Sequence, residues 1–443
     1  MPLILYFDDF ETCNPLGSHA GIYKLGAIYF TIASVPPKYA SRIENIFLAM
    51  LFHSQDRTQF GNRSVFNTLL QELKQLETKG LSIELNGTTL KVFFVVVLII
   101  GGNLGIHSIF GYPESFLANY CCRFCTENKD DIKKQINLKV NPIRQLTDYK
   151  NHVENKKVGI KEECIWNDLD HFHVYVTMNC DIMHDLFEGV YRYDMALIIQ
   201  HFIENKYFSF TTLNSRIKYF PYNNFEQNKP PLVTKEHLAN GCIIVSASEM
   251  LCLVRNLNII IGDLISEENK VWQFYLVLKE INDIVTLTQI SSNTLQYLKY
   301  LISEHHDMYL SLFNSYLKPK HHFLLHYPDI ITQIGPLMHV SCMRFEAKHK
   351  ELKKNATNVQ SRRNLPLTLA KKNQLNFLHR CMSKVGLSDK IKVGKILNIS
   401  AKDTILDIPN VLNLPYNLHN YYEISWFEKN GIRFNKFNRP VFH

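Results

Sequence analysis

Nothing in this sequence is apolar for long enough to cross a membrane. Its longest unbroken apolar run, the nine residues Val92–Ile100, is about half of the ~20 residues a spanning helix requires, so a buried strand is the better reading. No secretory leader is expected either. "MPLILYFDDF" has no basic first segment and meets acidic residues by position 8, which argues against secretion. Ten cysteines in 443 residues, without regular spacing, do not suggest a disulfide-stapled scaffold and point to a reducing, intracellular compartment. There is no internal repeat and no low-complexity tract. Neither sign of charge dominates: 49 Lys and Arg against 41 Asp and Glu give a net +8, a mild basic bias that nucleic acid would suit but does not require.

What is present is an ordinary globular composition, 46% hydrophobic and 20% charged, with enough apolar residues for a sizeable core. The first hundred residues read as sheet. "LILYFDDF" (3–10), "KLGAIYFTIA" (24–33) and "NIFLAMLFH" (45–53) are rich in β-branched and aromatic residues. "SVFNTLLQELKQLETKG" then sets Val65, Phe66, Leu69, Leu70, Leu73 and Leu76 on one helical face, with Ser64 as cap and Gly80 as stop. Asn86-Gly87 predicts a type I′ hairpin turn. The run that follows is apolar on both faces, which marks a central strand covered by helices. From about 185 to 317 the spacing turns helical, in "MALIIQHFIEN", "ASEMLCLVRNLNIIIGDLI", "KVWQFYLVLKEINDIV" and "SNTLQYLKYLISEHHDMYLSLF". "FEAKHKELKKN" (345–355) predicts a charged helix returning to the sheet, and Asn430-Gly431 a late hairpin.

Asp8 and Asp9 fall at the end of the first strand, Gly101-Gly102-Asn103 after the apolar strand, and Glu346 on the charged helix. Singly, each acid reads as solvated surface. In that order they outline a ribonuclease-H-like metal site, where three carboxylates hold two Mg²⁺ ions for phosphodiester chemistry. Gly102 stands where the second carboxylate belongs. Cys122-x-x-Cys125 has the spacing of half a zinc site, and Asp181-x-x-His184 sets two ligand types one helical turn apart. "KPKHHFLLHYP", with Lys318, Lys320, His321, His322 and His326, reads as a helix end with polar surface rather than a ligand set. Tyr222, Trp272 and the scattered phenylalanines read as core.

Five stretches, "YFDDFETCNPLGSHAGIYKLGAIYF", "GGNLGIHSIFGYPESFLANYCCRFC", "DIMHDLFEGV", "KHHFLLHYP" and "MRFEAKHKELKKNATNVQSRRNLPLTLA", together resemble the catalytic region of CACTA-type (En/Spm-like) DNA transposases, in the branch related to Mirage and Chapaev elements. The resemblance runs in order from about residue 3 to about 380. It implies an α/β, ribonuclease-H-like mixed sheet interrupted by a large α-helical insertion. The expected parts are a first core segment with a zinc-binding stretch (1–184), the insertion (185–335), a final core helix with a basic stretch (336–384) and a β-hairpin tail (385–443). It implies Asp8 as the first acid of an Asp-Asp-Glu triad, with Asp9 as its neighbouring alternative, and Glu346 as the last. The family's Gly-Asp-Asn-Leu-Gly reads Gly101-Gly102-Asn103-Leu104-Gly105 here, so the second aspartate is lost, with Glu114 and Asn103 as the replacements at hand.

The resemblance further implies Cys122, Cys125 and His184 as ligands of a structural Zn²⁺, with Asp181 or Cys180 as fourth and Cys121 packed beside them. Lys348, Lys350, Lys353, Lys354, Arg362 and Arg363 are expected to face DNA. The expectation is therefore a truncated DDE-type transposase copy in the nucleus, binding transposon ends without a membrane role, with Mg²⁺- or Mn²⁺-dependent cutting and joining impaired and homo-oligomerisation left open. Its rivals are a non-enzymatic DNA-binding or protein-interaction module and a translated remnant without selected function.

Overall fold

The computed structural model describes residues 1–12, 24–40, 42–139, 142–223, 228–359 and 363–382, together with the backbone of short strands between 391 and 435. Two compact units divide at Leu375. The first is built on a four-stranded mixed sheet of β1 (Pro2–Glu11), β2 (Lys24–Ile32), β3 (Phe47–His53) and a later strand. Helix α1 (Ser54–Thr78) follows β3 and is bent at Gly61, whose φ of 80° is not helical. The helix thus starts ten residues before Ser64, and the apolar face expected for it is real: Phe66, Leu69, Leu70 and Leu73 are buried. Gly80, at φ 65°, ends it in the left-handed region that glycine enters freely.

Strands β4 (Leu81–Leu85) and β5 (Thr88–Val92) form the expected hairpin. Asn86 and Gly87 both have positive φ, 52° and 77°, as a type I′ turn demands. Strand β6 (Val95–Gly101) then pairs in parallel with β1, giving the sheet order β3-β2-β1-β6. The apolar strand is therefore not central. It lies at the edge of the described sheet, and β1 has the inner position. Its apolar character comes from burial on both faces, with Val96 and Ile99 in one core and Leu98 and Ile100 in the other, while Asn179 Nδ2 donates to Ile99 O at 2.5 Å on the edge.

The sheet separates two cores. Leu3, Leu5 and Phe7 of β1 face one, with Phe66 and Leu70 of α1, Trp166, and Ile106 and Ile109 of α2 (Asn103–Phe110). Tyr6 and Phe10 face the other, with the helical half of the chain. Period-2 alternation along β1 makes this division. The helical half contains a π-helical turn, Met183–Val190, then α3 (Tyr191–Glu204), α4 (Ala247–Ile261), α5 (Lys270–Val285) and α6 (Ser292–Phe313). All four match the apolar spacings in the sequence. Shorter α7 (Pro319–Leu324) and α8 (Tyr327–Ile334) lead to α9 (Met343–Thr357), which packs on β1, and then α10 (Leu365–Met382). Tyr222 and Trp272 are buried as expected. No helix among the described residues is long and apolar enough to cross a membrane. The described cysteines are all free, and Cys13 lies outside the described residues.

The second unit, Asn376–His443, contains strands β7 (Ile391–Val393), β8 (Ile396–Asn398), β9 (Tyr422–Ile424), β10 (Trp426–Lys429) and β11 (Ile432–Asn435). β10 and β11 pair antiparallel. The Asn430-Gly431 turn expected between them lies outside the described residues.

Three buried histidines make this fold acid-sensitive. Burial, with Arg123 nearby, pulls His107 down to about 3. Burial also lowers His305, against the pull of Asp194, and lowers His306 further with the help of His305 and His321. Each stays neutral in the folded chain while its unfolded counterpart takes a proton below about pH 6.5. Stability is then full above that pH and falls below it, by up to ~1.4 kcal/mol per pH unit for each histidine. Denaturant unfolding between about pH 7 and pH 5 should show this loss, and a flat profile would contradict it.

Candidate functional site

Two clusters of candidate ligands stand out, and both include residues of the helical half. The first is built on Cys122 and Cys125. Cys122 Sγ lies 3.6 Å from His326 Nε2, Cys125 Sγ 3.2 Å from His322 Nε2, and the two Nε2 atoms 3.3 Å apart. All four side chains are buried and their ligand atoms lie within 4.8 Å of one another. A tetrahedral zinc with sulfur at ~2.3 Å and nitrogen at ~2.05 Å requires S···N and N···N separations of about 3.6 and 3.3 Å. The residues present fit Zn²⁺. Burial would raise Cys122, but its hydrogen bond with Cys125 and the nearby His326 and His322 hold it well below the usual thiol range. The hydrogen bond to Cys122 and burial raise Cys125. Burial lowers His326, against Cys122, and so favours the neutral imidazole that a metal takes.

This set corrects the expected one. His184, Asp181 and Cys180 do not complete the cysteine pair. Helix α7 and the turn after it bring His322 and His326, four residues apart, onto one face against "CCRFC". The spacing was the available signal. It was obscured because "KHHFLLHYP" looks like polar surface, whereas His321, His322 and His326 are 0%, 0% and 3% exposed. His321 serves elsewhere: its Nε2 and His305 Nε2 both donate to the buried Asp194. Cys121 is a packed neighbour, as expected, its thiol pushed up to about 12 by burial. Cys180, also buried, is raised by burial and by Asp185.

The second cluster contains the acids. Asp8 follows Phe7 within β1, and Phe7 pairs with Gly101, the last residue of β6, so Asp8 lies beside Gly102 just past the end of β6. Asp8 Oδ2 accepts from His349 Nε2 at 3.0 Å, and His349 Nδ1 accepts from the Tyr29 hydroxyl at 3.0 Å. Asp9 points to the opposite face, where Ser54 Oγ donates to it at 2.6 Å and Arg57 pairs with it at 3.4 Å. Strand alternation thus selects Asp8 over Asp9 for this side. Glu346, on the first turn of α9, lies 3.2 Å from His184 Nε2, while His184 Nδ1 bonds Asp181 at 2.6 Å. Burial lowers His184, but its bonds to Asp181 and Glu346 outweigh this and hold it well above the usual histidine range. Burial would likewise raise Asp181, and its bonds to His184 keep it low.

At the third corner Gly102 brings no oxygen. Neither expected replacement serves. Asn103 is buried and committed, donating to Asp185 Oδ1 at 2.6 Å and accepting from Arg123 at 2.6 Å. Glu114 pairs with Lys161 at 3.6 Å on the surface. A two-Mg²⁺ clamp requires bridging carboxylate at this corner, so the residues present do not fit it.

The basic stretch is also less uniform than its sequence. Lys350, Lys353, Lys354 and Arg363 are exposed. Lys348 is 6% exposed, its Nζ bonded to Ile43 O at 3.1 Å and paired with Glu351 at 2.8 Å. It fastens α9 rather than facing solvent, because its position falls on the inward side of the helix. Arg362 lies outside the described residues. Compared with known proteins, the chain matches no family model and no curated protein.

Purified chain should retain one Zn²⁺ through gel filtration. Cys122→Ser with Cys125→Ser, or His322→Ala with His326→Ala, should abolish retention, and His184→Ala should not. Elemental analysis reads this directly. Zinc kept by both double variants would place the ion elsewhere.

Proposed function

We propose that this chain derives from a CACTA-type transposase. It is a ribonuclease-H-like domain with a helical insertion that holds DNA at the carboxyl end of its sheet and has lost the second of three metal-binding carboxylates. The reading rests on one observation above all. Asp8 of β1 lies beside residue 102, just past the end of parallel β6, and Glu346 of α9 reaches the histidine next to residue 102. This arrangement supports an Asp-Asp-Glu constellation with glycine at its middle position. The strand order β3-β2-β1-β6, with only β6 parallel to β1, agrees with the same reading.

DNA is the partner this reading implies, and the nucleus its location. Lys350, Lys353 and Lys354 extend along the helix that carries Glu346, with Arg363 just beyond it, so phosphates held there would run past the acid cluster. The Cys122/Cys125/His322/His326 set would bind a structural Zn²⁺, since all four positions are filled by protein and none is left for substrate. The lost carboxylate favours DNA binding kept without strand cleavage over an active enzyme.

Affinity for duplex DNA should fall steeply with salt, through release of counterions from the phosphates. Replacing Lys350, Lys353, Lys354 and Arg363 with glutamine should flatten the slope of log affinity against log salt by ~0.9 for each phosphate no longer neutralised. Lys348→Gln should instead lower stability and leave the slope alone. A slope unchanged in the fourfold variant would assign these residues to solvated surface and remove DNA as the partner on this face.

A further inference from the structure

The corner vacated by the missing carboxylate is taken by the His184 imidazole. A Cβ built on Gly102 would lie 3.0 Å from His184 Nε2. The opposite edge of the ring is fixed. Nδ1 lies 2.6 Å from Asp181 Oδ2, which also accepts from the His184 N–H at 3.1 Å. Asp181 Oδ1 accepts from the Cys342 N–H at 2.9 Å. Nδ1 therefore carries the proton given to Asp181, and Nε2 faces Glu346 Oε1 at 3.2 Å. A bare nitrogen lone pair and a carboxylate oxygen repel at that distance, so a positive centre belongs with them: a proton or a metal ion.

At 3.2 Å the pair can close on a ring proton, as the raised His184 does in the ion-free chain, and the same spacing suits a metal that displaces that proton. Two donors about 2.1 Å from one ion, at an angle between square and tetrahedral, lie roughly 3.0–3.4 Å apart. Histidines that ligate metals usually donate their other ring N–H to a carboxylate, which is the role Asp181 fills. The locus is also reachable, with the His184 and Glu346 side chains 20% and 33% exposed. A spare oxygen lies near: the buried Tyr6 hydroxyl has no partner among the described residues and sits in the fields of Asp8, Cys342, Glu346 and Asp181.

We propose that His184 Nε2 and Glu346 form a second metal site, which takes a single borderline transition ion such as Zn²⁺ or Co²⁺ in preference to Mg²⁺, with Asp181 as the positioning residue. Imidazole suits such ions, whereas Mg²⁺ favours carboxylates and water. With two protein ligands the site binds more weakly than the buried Cys/His set. Gly102 is part of the device, since an aspartate there would push its side chain against the ring. The proposal rests on the ring's contacts and not on the DNA reading, so a titration without DNA tests it separately.

Chain with zinc already in the Cys/His set should be titrated with Co²⁺ by calorimetry and visible absorption. One further Co²⁺ should bind without a new sulfur-to-metal charge-transfer band, and a large excess of Mg²⁺ should not displace it. Glu346→Gln, a partly exposed and isosteric change, should abolish binding, and Asp181→Asn should weaken it ~10–100-fold. Circular dichroism and zinc retention show whether each variant is folded. Gly102→Asp should shift preference from Co²⁺ toward Mg²⁺. Binding that survives Glu346→Gln but is lost in Cys342→Ser would overturn the proposal, placing the ion among Asp181, His184 and Cys342. So would ready displacement by Mg²⁺, or no binding at all, which would leave a proton on His184 Nε2.

Discussion

The carboxylate of Asp181 is the constraint on which the acid site depends. It is 3% exposed, and a buried carboxylate persists only if its oxygens are used. One oxygen holds His184 through both ring and backbone, and the other holds the N–H of Cys342, the residue from which α9 starts. A single side chain thus sets the angle of the π-helical turn, the position of α9 and the tautomer of His184. Glu346 meets His184 because Asp181 has already fixed both. Lys320 braces the same turn from the other side, its Nζ donating to the carbonyls of His184 and Glu188 at 2.7 and 3.2 Å.

The Cys/His cluster acts at a greater sequence distance. Residues 122 and 125 come just after the β6–α2 corner, and 322 and 326 from the far end of the helical half. A zinc ion there would close a loop of about two hundred residues. The binding energy of such an ion is folding energy, since the unfolded chain has no assembled site. The two clusters divide the labour: one ties the helical half to the sheet, and the other presents acids and an imidazole at the sheet's carboxyl end.

What could be read from the sequence is what depends on near neighbours. The three first strands, the face of α1, the Asn86-Gly87 turn and helices α3 to α6 follow from periods of 2 and 3.6 and from turn chemistry, all local. Cys122 and Cys125 stood out by spacing, and Asp8, Gly102 and Glu346 by order. What was hidden depends on packing. The apolar β6 looked central because an edge strand packed on both faces carries the same residues as a central one. His322 and His326 looked like surface because nothing local shows that "CCRFC" lies against them. Lys348 looked like its neighbours because a basic run does not reveal which positions turn inward. The assignment of His184 to the Cys122/Cys125 set failed for a related reason: Asp181-x-x-His184 is a ligand spacing, but its partners across space are Glu346 and Cys342.

The central claim of the proposed reading is that glycine at 102 leaves no two-metal clamp for strand cleavage beside Asp8 and Glu346. Relaxation of supercoiled plasmid in Mg²⁺ or Mn²⁺ tests it most directly, with wild-type chain compared against Asp8→Ala. The account predicts that the two are indistinguishable, with no metal-dependent nicking by either. Vigorous nicking by the wild-type chain that Asp8→Ala abolishes would contradict it, and would show that another group supplies the ligand Gly102 lacks.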